Sequence, residues 1–250
     1  PLQARRSGEW AAFRAAIRAT RYDAVIDAQG LLKSAWLARH ARGPLHGLDR
    51  QSAREPLASL FYRHRHAVAW GRHAVLRVRE LFAAALGYVL PADAASVSRE
   101  GAAGADPYGL DRSRLQAAPA ASTDGLAADA PYLVFLHGTT WDTKHWPEAY
   151  WRALAEYADA QGWQVRLPWG SASERARAER LAADLSGVHV LPRLSLAGIA
   201  AEIAGARACV AVDTGLGHLA AALDVPTLSI YGPTNPGWSG AYGRGQVHLA

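Results

Sequence analysis

Three short runs of this chain combine residue types that could hold a phosphorylated sugar. The first is His137-Gly138-Thr139-Thr140-Trp141-Asp142-Thr143-Lys144-His145-Trp146, followed by Pro147, which reads as a first helical residue. Hydroxyls at Thr139 and Thr140, the Lys144 ammonium and the amides of a helix start would favour an anion at one place, because N–H groups, helix dipole and cation act in the same direction. A polar loop with capping residues accounts for the same letters. The second run is Val212-Asp213-Thr214-Gly215-Leu216-Gly217-His218-Leu219. Its glycines let a backbone turn tightly against a ligand, and Asp213 could accept hydrogen bonds from sugar hydroxyls. Asp-Thr-Gly also occurs in aspartic proteases, but those are all-β and use a pair of such aspartates; His218 reads equally as a core or capping histidine. The third run is Pro168-Trp169-Gly170-Ser171 with Glu174, whose paired carboxylate oxygens suit vicinal hydroxyls or, more plainly, a helix first turn. The turn formers from Tyr231 to Pro236 read as structural.

Each of these runs follows an apolar stretch of strand character. Strands YLVFLHG, QVRLP, VHVL, ACVAVDTG and TLSIYG alternate with helices from Pro147, SERARAERLAADL, SLAGIAAEIAGA and HLAAALD. Such alternation predicts a parallel sheet with helices on both faces, and ligands in such sheets bind beyond the carboxyl ends of the strands. Upstream, Glu9 to Thr20 has helical periodicity, and YDAVIDAQG reads as a buried strand closed by Gly30. LLKSAWLARHA is a helix ended by Gly43-Pro44, and Arg72 to Leu86 is another, stopped at Gly87. From about Pro91 to Ala130 the composition turns to Ala, Asp, Gly, Ser and Pro, a linker with a strand or turn around Tyr108 to Leu115. The expected fold is α/β with two Rossmann-like domains, 1–128 with the linker and 129–250, each built on a parallel sheet.

Composition narrows the function classes. Half of the 250 residues are hydrophobic and a fifth charged, which suits a globular chain with a real core rather than a disordered one. The single cysteine, Cys209, sits in an apolar run, so an intrachain disulfide is impossible and a reducing compartment, the cytoplasm, is expected. The net charge of +5 favours anionic partners. The basic residues are scattered, the densest group being Arg63, Arg65, Arg72, Arg77 and Arg79, and no RNA-type aromatic motif accompanies them, so no nucleic-acid partner is expected. Neither a Gly-x-x-x-x-Gly-Lys-Ser/Thr loop nor a Gly-x-Gly-x-x-Gly fingerprint occurs, which weakens ATPase and dehydrogenase readings, and no cofactor is expected. The histidines are dispersed without ligand spacing, so no metal is expected.

Taken together, YDAVIDAQGLLKSA, Gln51 to Tyr62 (QSAREPLASLFY), TKHWPE, LPWG, AVDTGLGHL and the Tyr231 to Pro236 turn resemble the heptosyltransferases of glycosyltransferase family 9, in particular those of type I, over nearly the whole chain. The resemblance implies a GT-B fold with the first domain incomplete. It also implies inverting, metal-independent transfer of L-glycero-D-manno-heptose from ADP-heptose to Kdo of Kdo2-lipid A in lipopolysaccharide core synthesis. By resemblance, the donor is held by Thr139, Thr140, Lys144, Glu174, Leu194, Asp213, Thr214, Gly215, Leu216 and His218. Lys144 and Asp213 act in catalysis, and Lys33, Arg54 and His73 face the acceptor. Arg54 and Glu55 read alternatively as a local ion pair. A basic N-terminal half would suit peripheral contact with the anionic cytoplasmic face of the bacterial inner membrane.

The family's general base is an aspartate in the first strand-loop-helix. This chain opens on Pro1 and contains no Met, so that base is expected to fall outside it, with Arg5 and Arg6 a remnant of the accompanying basic loop; the run ending at Ala250 also reads as cut short. Since a general base contributes roughly 10²–10⁴-fold, the chain alone is expected to be inactive or severely impaired in transfer. The rival readings are a type II heptosyltransferase, against which REPLASLFY argues, and a nucleotide-sugar-binding module without turnover.

Overall fold

The computed structural model describes residues 8–90, 108–110 and 130–250, so most of the linker, including 111–115 of the expected strand or turn, lies outside the described residues. Residues 108–110 carry no helix or strand. The chain divides into two compact units, Pro1–Ala95 and Ser96–Ala250.

In the first unit, helix α1 (Glu9–Ala19) leads to strand β1 (Val25–Asp27), helix α2 (Leu32–Ala38), strand β2 (Leu45–Leu48), a 3₁₀ turn at Pro56–Phe61, strand β3 (His64–His66) and helix α3 (Ala74–Leu86). The three strands form one parallel sheet in the order β1-β2-β3. Helix α3 starts where the His73 ring accepts from Val75 N–H at 3.3 Å, and it ends at Gly87, whose φ of 74° is the left-handed conformation glycine adopts without a Cβ penalty. One face of the sheet packs Leu45 with Ala35, Ala58 and Tyr62; the other packs Leu48 with Ala53, Val68 and Leu81. Gly47, in the middle of β2, is needed for close approach, since a Cβ there would meet the Tyr62 ring at 2.4 Å.

The second unit contains β4 (Tyr132–Leu136), α4 (Glu148–Ala160), β5 (Gln164–Leu167), α5 (Ala172–Ala182), β6 (Val188–Val190), α6 (Leu196–Gly205), β7 (Ala208–Val212), α7 (Gly215–Ala222), β8 (Thr227–Ile230), α8 (Pro236–Ser239) and β9 (Gln246–Leu249). All six strands are parallel, in the order β6-β5-β4-β7-β8-β9. Strand β4 therefore has β5 on one side and β7 on the other, and the order reverses between β4 and β7. One face buries Leu136, Ile203, Ala211 and Leu223; the other buries Phe135, Trp151, Leu167 and Leu181. Each large apolar side chain removed from water here contributes roughly 1.5–3 kcal/mol. At the edge of the first face a buried ion pair joins β5 to α6: Arg166 Nη1 lies 2.7 Å from Glu202 Oε2, with the guanidinium over the Tyr132 ring at 3.5 Å.

The alternating pattern expected from sequence is present, with differences in detail. Pro147 is the residue before α4 rather than its first residue. Helix α7 begins at Gly215, ahead of the HLAAALD stretch, so Gly215 to His218 form its first turn. The closing run forms strand β9 and pairs in parallel with β8.

Candidate functional site

Every candidate residue of the second unit stands at or just beyond a strand's carboxyl end, where the parallel sheet delivers its loops. The β4 loop carries Thr139 and Thr140, then a 3₁₀ turn at Asp142–Lys144; the β7 loop carries Asp213 and Thr214. These two loops leave the strands at which the sheet order reverses, the place where open α/β sheets leave a crevice. They are tied together twice. Thr139 Oγ1 donates to the Asp213 carbonyl at 3.1 Å, and Lys144 Nζ lies 2.7 Å from Asp213 Oδ2. Asp213 is 7% exposed and the Lys144 side chain 25%, so the pair is largely sheltered, the aspartate more than the lysine. Beside it, burial lowers the pKa of His218, which Asp213 partly offsets.

A cavity of about 170 Å³ opens at these loops, lined by Gly138, Thr139, Thr140, Trp169, Glu174, Thr214 and Leu216 among others. Thr214 precedes α7 in an extended conformation; its side chain makes no cap, and its carbonyl accepts from Gly217 N–H at 3.0 Å. Glu174 both lines the cavity and caps α5. Its Oε2 accepts from Gly170 N–H at 2.7 Å and Ser171 N–H at 3.0 Å, while Ser171 Oγ accepts from Glu174 N–H at 3.2 Å. The plain helix-start reading of Glu174 is thus present in the structure, on the same side chain that faces the cavity. Lys144, Leu194, Asp213, Gly215 and His218 do not line it; the Lys144–Asp213 pair adjoins it through Thr139, which donates to the Asp213 carbonyl, and Thr214, the next residue after Asp213. Leu194 is half-buried just ahead of α6, whose first turn supplies Ile199 to the lining.

Two contributors were not singled out from sequence. Ile199 gave no signal beyond its helical periodicity. The other is Arg177 on α5, whose Nη1 donates to the His137 carbonyl at 3.2 Å and lies 2.8 Å from His145 Nδ1. His137 itself is fully buried; burial first, then the Arg177 charge, drive its pKa down to about 4.

In the first unit the three expected acceptor-facing residues also follow strand carboxyl ends. Lys33 sits exposed in the first turn of α2, Arg54 lies exposed in the loop after β2, and His73 is the residue that caps α3 after β3. Glu55 is used differently from the expected Arg54 pair: its Oε2 accepts from Leu32 N–H at 2.6 Å, tying the β2 loop to the start of α2. The residue that organises this end is Asp27, unmarked by the sequence reading although it lies inside YDAVIDAQG. It is 5% exposed and accepts from Tyr62 OH and Ser34 Oγ, both at 2.8 Å, and from Gln29 N–H at 2.9 Å. Next to it, Gly30 has a φ of 63°, and a Cβ there would come within 3.2 Å of Arg54 N, so the β1 and β2 loops meet backbone to backbone.

Comparison with known proteins decides the family. The family model described as Glycosyltransferase family 9 (heptosyltransferase) matches residues 10–250. The chain belongs to glycosyltransferase family 9. Among the family's curated members, lipopolysaccharide heptosyltransferase 1 of Pseudomonas aeruginosa is 64% identical over 248 residues, covering 99% of this chain and 64% of that protein. The Escherichia coli K12 enzyme of the same description is 48% identical over 248 residues, covering 99% of this chain and 71% of its own length. The chain thus spans about two thirds of these family 9 relatives. Among solved structures, that of the E. coli heptosyltransferase WaaC with ADP superposes with a TM-score of 0.81 at 47% identity, over 99% of this chain and 74% of that one. The same enzyme with ADP-2-deoxy-2-fluoro heptose gives 0.78 at 48% identity, over 97% and 70%. These likenesses carry the GT-B architecture expected for family 9. In sequence, lipopolysaccharide heptosyltransferase 2 of Salmonella typhimurium is 33% identical over 118 residues, 44% of the chain.

Proposed function

We propose that this chain is the greater part of a type I heptosyltransferase, which transfers L-glycero-D-manno-heptose from ADP-heptose to Kdo of Kdo2-lipid A, with inversion and without a metal. The observation that carries the reading is the cavity at the reversal of the sheet order, with Thr139, Thr140, Glu174 and Thr214 on its wall and the Lys144–Asp213 pair beside it. Its likeness to lipopolysaccharide heptosyltransferases, one of them solved with ADP, supports the same donor class.

In this reading the diphosphate lies between the β4 loop and the start of α7. The Lys144 ammonium, the Thr139 and Thr140 hydroxyls and the α7 amides around Thr214 and Gly215 stabilise negative charge as ADP departs. Asp213 turns the Lys144 ammonium toward the phosphates and accepts from heptose hydroxyls. Glu174, its carboxylate fixed by two backbone amides, accepts from ribose hydroxyls; Leu216 forms part of the wall, with Leu194 ahead of α6 and His218 in the first turn of α7 outside the lining. On the acceptor side, Lys33, Arg54 and His73 meet carboxylates and phosphates, for which the Arg54 guanidinium offers a bidentate fork.

The enzyme works at the cytoplasmic face of the inner membrane as a peripheral protein, drawn to the anionic surface by its net positive charge. Among the described residues no helix is long and apolar enough to cross a membrane. Titration of the 250-residue protein with ADP, ADP-heptose and an oligonucleotide, with mass analysis of Kdo2-lipid A incubated with donor and a protein extended to carry the family's first strand-loop-helix, tests the reading. Binding of the first two together with a heptose-sized mass gain supports it. Oligonucleotide binding without ADP binding contradicts it.

A further inference from the structure

Resting on that reading of the donor site, we infer that Arg177 is its positioning residue, clamping both ends of the segment 138–144 and so setting where Thr139, Thr140 and Lys144 meet the diphosphate. A single guanidinium nitrogen, Nη1, carries two N–H bonds and spends them on the two residues that bracket the segment: the His137 carbonyl at 3.2 Å and His145 Nδ1 at 2.8 Å. Lys144 is the immediate neighbour of His145, and Thr139 lies two residues beyond His137. An otherwise irregular loop with one short 3₁₀ turn is thereby pinned at both anchors to a regular helix.

That helix is the one whose first turn carries Glu174, one turn before Arg177 on the same face. A single rigid element thus fixes both the carboxylate on the cavity wall and the loop that brings the ammonium. Arg177 is itself held in place: its Nε lies 3.9 Å from Glu148 Oε2, and Glu148 is locked by Arg180 through two contacts of 2.6 and 2.7 Å. The contact to Nδ1 requires a lone pair there, hence a neutral His145 ring, and burial together with the Arg177 charge favours the neutral form. No bond to the nucleotide is needed; the effect of Arg177 on binding passes through Lys144.

The test is a double-mutant cycle read by titration of ADP and of adenosine into the 250-residue protein, its K144A, R177A and R177M variants, and K144A/R177A. The methionine variant keeps much of the buried stem and guards against simple loss of folding. R177A and R177M are expected to weaken ADP about tenfold, one charge-assisted contact's worth, while adenosine changes by less than about twofold. K144A/R177A is expected to bind ADP within about twofold of K144A, because residues acting through one another are not additive. R177K, which retains a cation and stem, is expected to recover part of the loss. Full ADP affinity in R177M with K144A impaired, or losses that multiply in the double variant, would overturn the proposal alone. Full ADP affinity in K144A would overturn the donor-site reading and the proposal together.

Discussion

Lys144 Nζ lies 2.7 Å from Asp213 Oδ2, and this contact joins the loop after β4 to the start of α7 at the one place where the sheet order reverses. Its partners are unequal. Asp213 is nearly buried and Lys144 is not, so the aspartate is fixed by the fold and the ammonium is the part that can turn to a ligand. The donor-site predictions follow from that asymmetry and from the elements around it.

Glu174 serves the α5 cap and the cavity wall with one carboxylate. Glu174→Ala is expected to cost about 1 kcal/mol of stability, the usual worth of a capping interaction. If the carboxylate also grips the ribose, the variant loses most of the preference for ADP over its 2′,3′-dideoxy analogue. Calorimetric titration of both nucleotides checks this, and an undiminished preference in the variant excludes the ribose role.

His137 makes the second unit sensitive to acid. Its pKa falls from 6.5 to about 4 on burial, so between those values the unfolded chain binds a proton that the folded chain refuses. Stability from this group is complete above pH 6.5, is lost as pH falls toward 4, and changes no further below that. The loss amounts to about 3 kcal/mol. Urea unfolding at pH 7 and at pH 4.5, compared with His137→Leu, is expected to show a smaller acid loss in the variant.

The buried Arg166–Glu202 pair predicts that replacing both partners costs less than replacing one. Arg166→Met strands the Glu202 carboxylate at 2% exposure and is expected to cost about 3–5 kcal/mol. Replacing both, as R166M/E202L, is expected to restore most of that stability, since an apolar pair leaves no uncompensated charge. Thermal unfolding of the three proteins measures it.

Gly47 is set against the Tyr62 ring, whose hydroxyl donates to Asp27. Gly47→Val is expected to push that ring away, destabilising the first unit by about 1–3 kcal/mol through overpacking. Hydrogen exchange is expected to rise across Val25–His66 and to stay unchanged in β4 to β9.

Much of this was legible in the sequence. Most strands of the second unit announce themselves as short, largely apolar runs between periodic helices, three to five residues long, and the chemistry sits at their carboxyl ends because a parallel sheet puts it there. Strands β2 and β3 escaped notice because they are only four and three residues long, and His64-Arg65-His66 offers no apolar letter; neighbours and burial on the other strands hold it in the sheet. The start of α7 was read as loop because glycine is a poor helix former. Gly217 is nonetheless helical and buried, and its Cβ position lies 3.3 Å from the Ala211 methyl, so a small residue is what the packing requires. Arg177 looked like one more charge in SERARAER. Its partners His137 and His145 are distant in sequence, and only the fold brings them within hydrogen-bond reach.

The central claim is that the Lys144 ammonium and the loops beside it hold a nucleoside diphosphate. The most direct test is the ratio of ADP to adenosine affinity in the unaltered protein and in Lys144→Ala. The account predicts that the ratio falls by about tenfold or more, the cost of losing a charge-assisted contact to phosphate, with adenosine affinity nearly constant. A ratio unchanged by the substitution would contradict it.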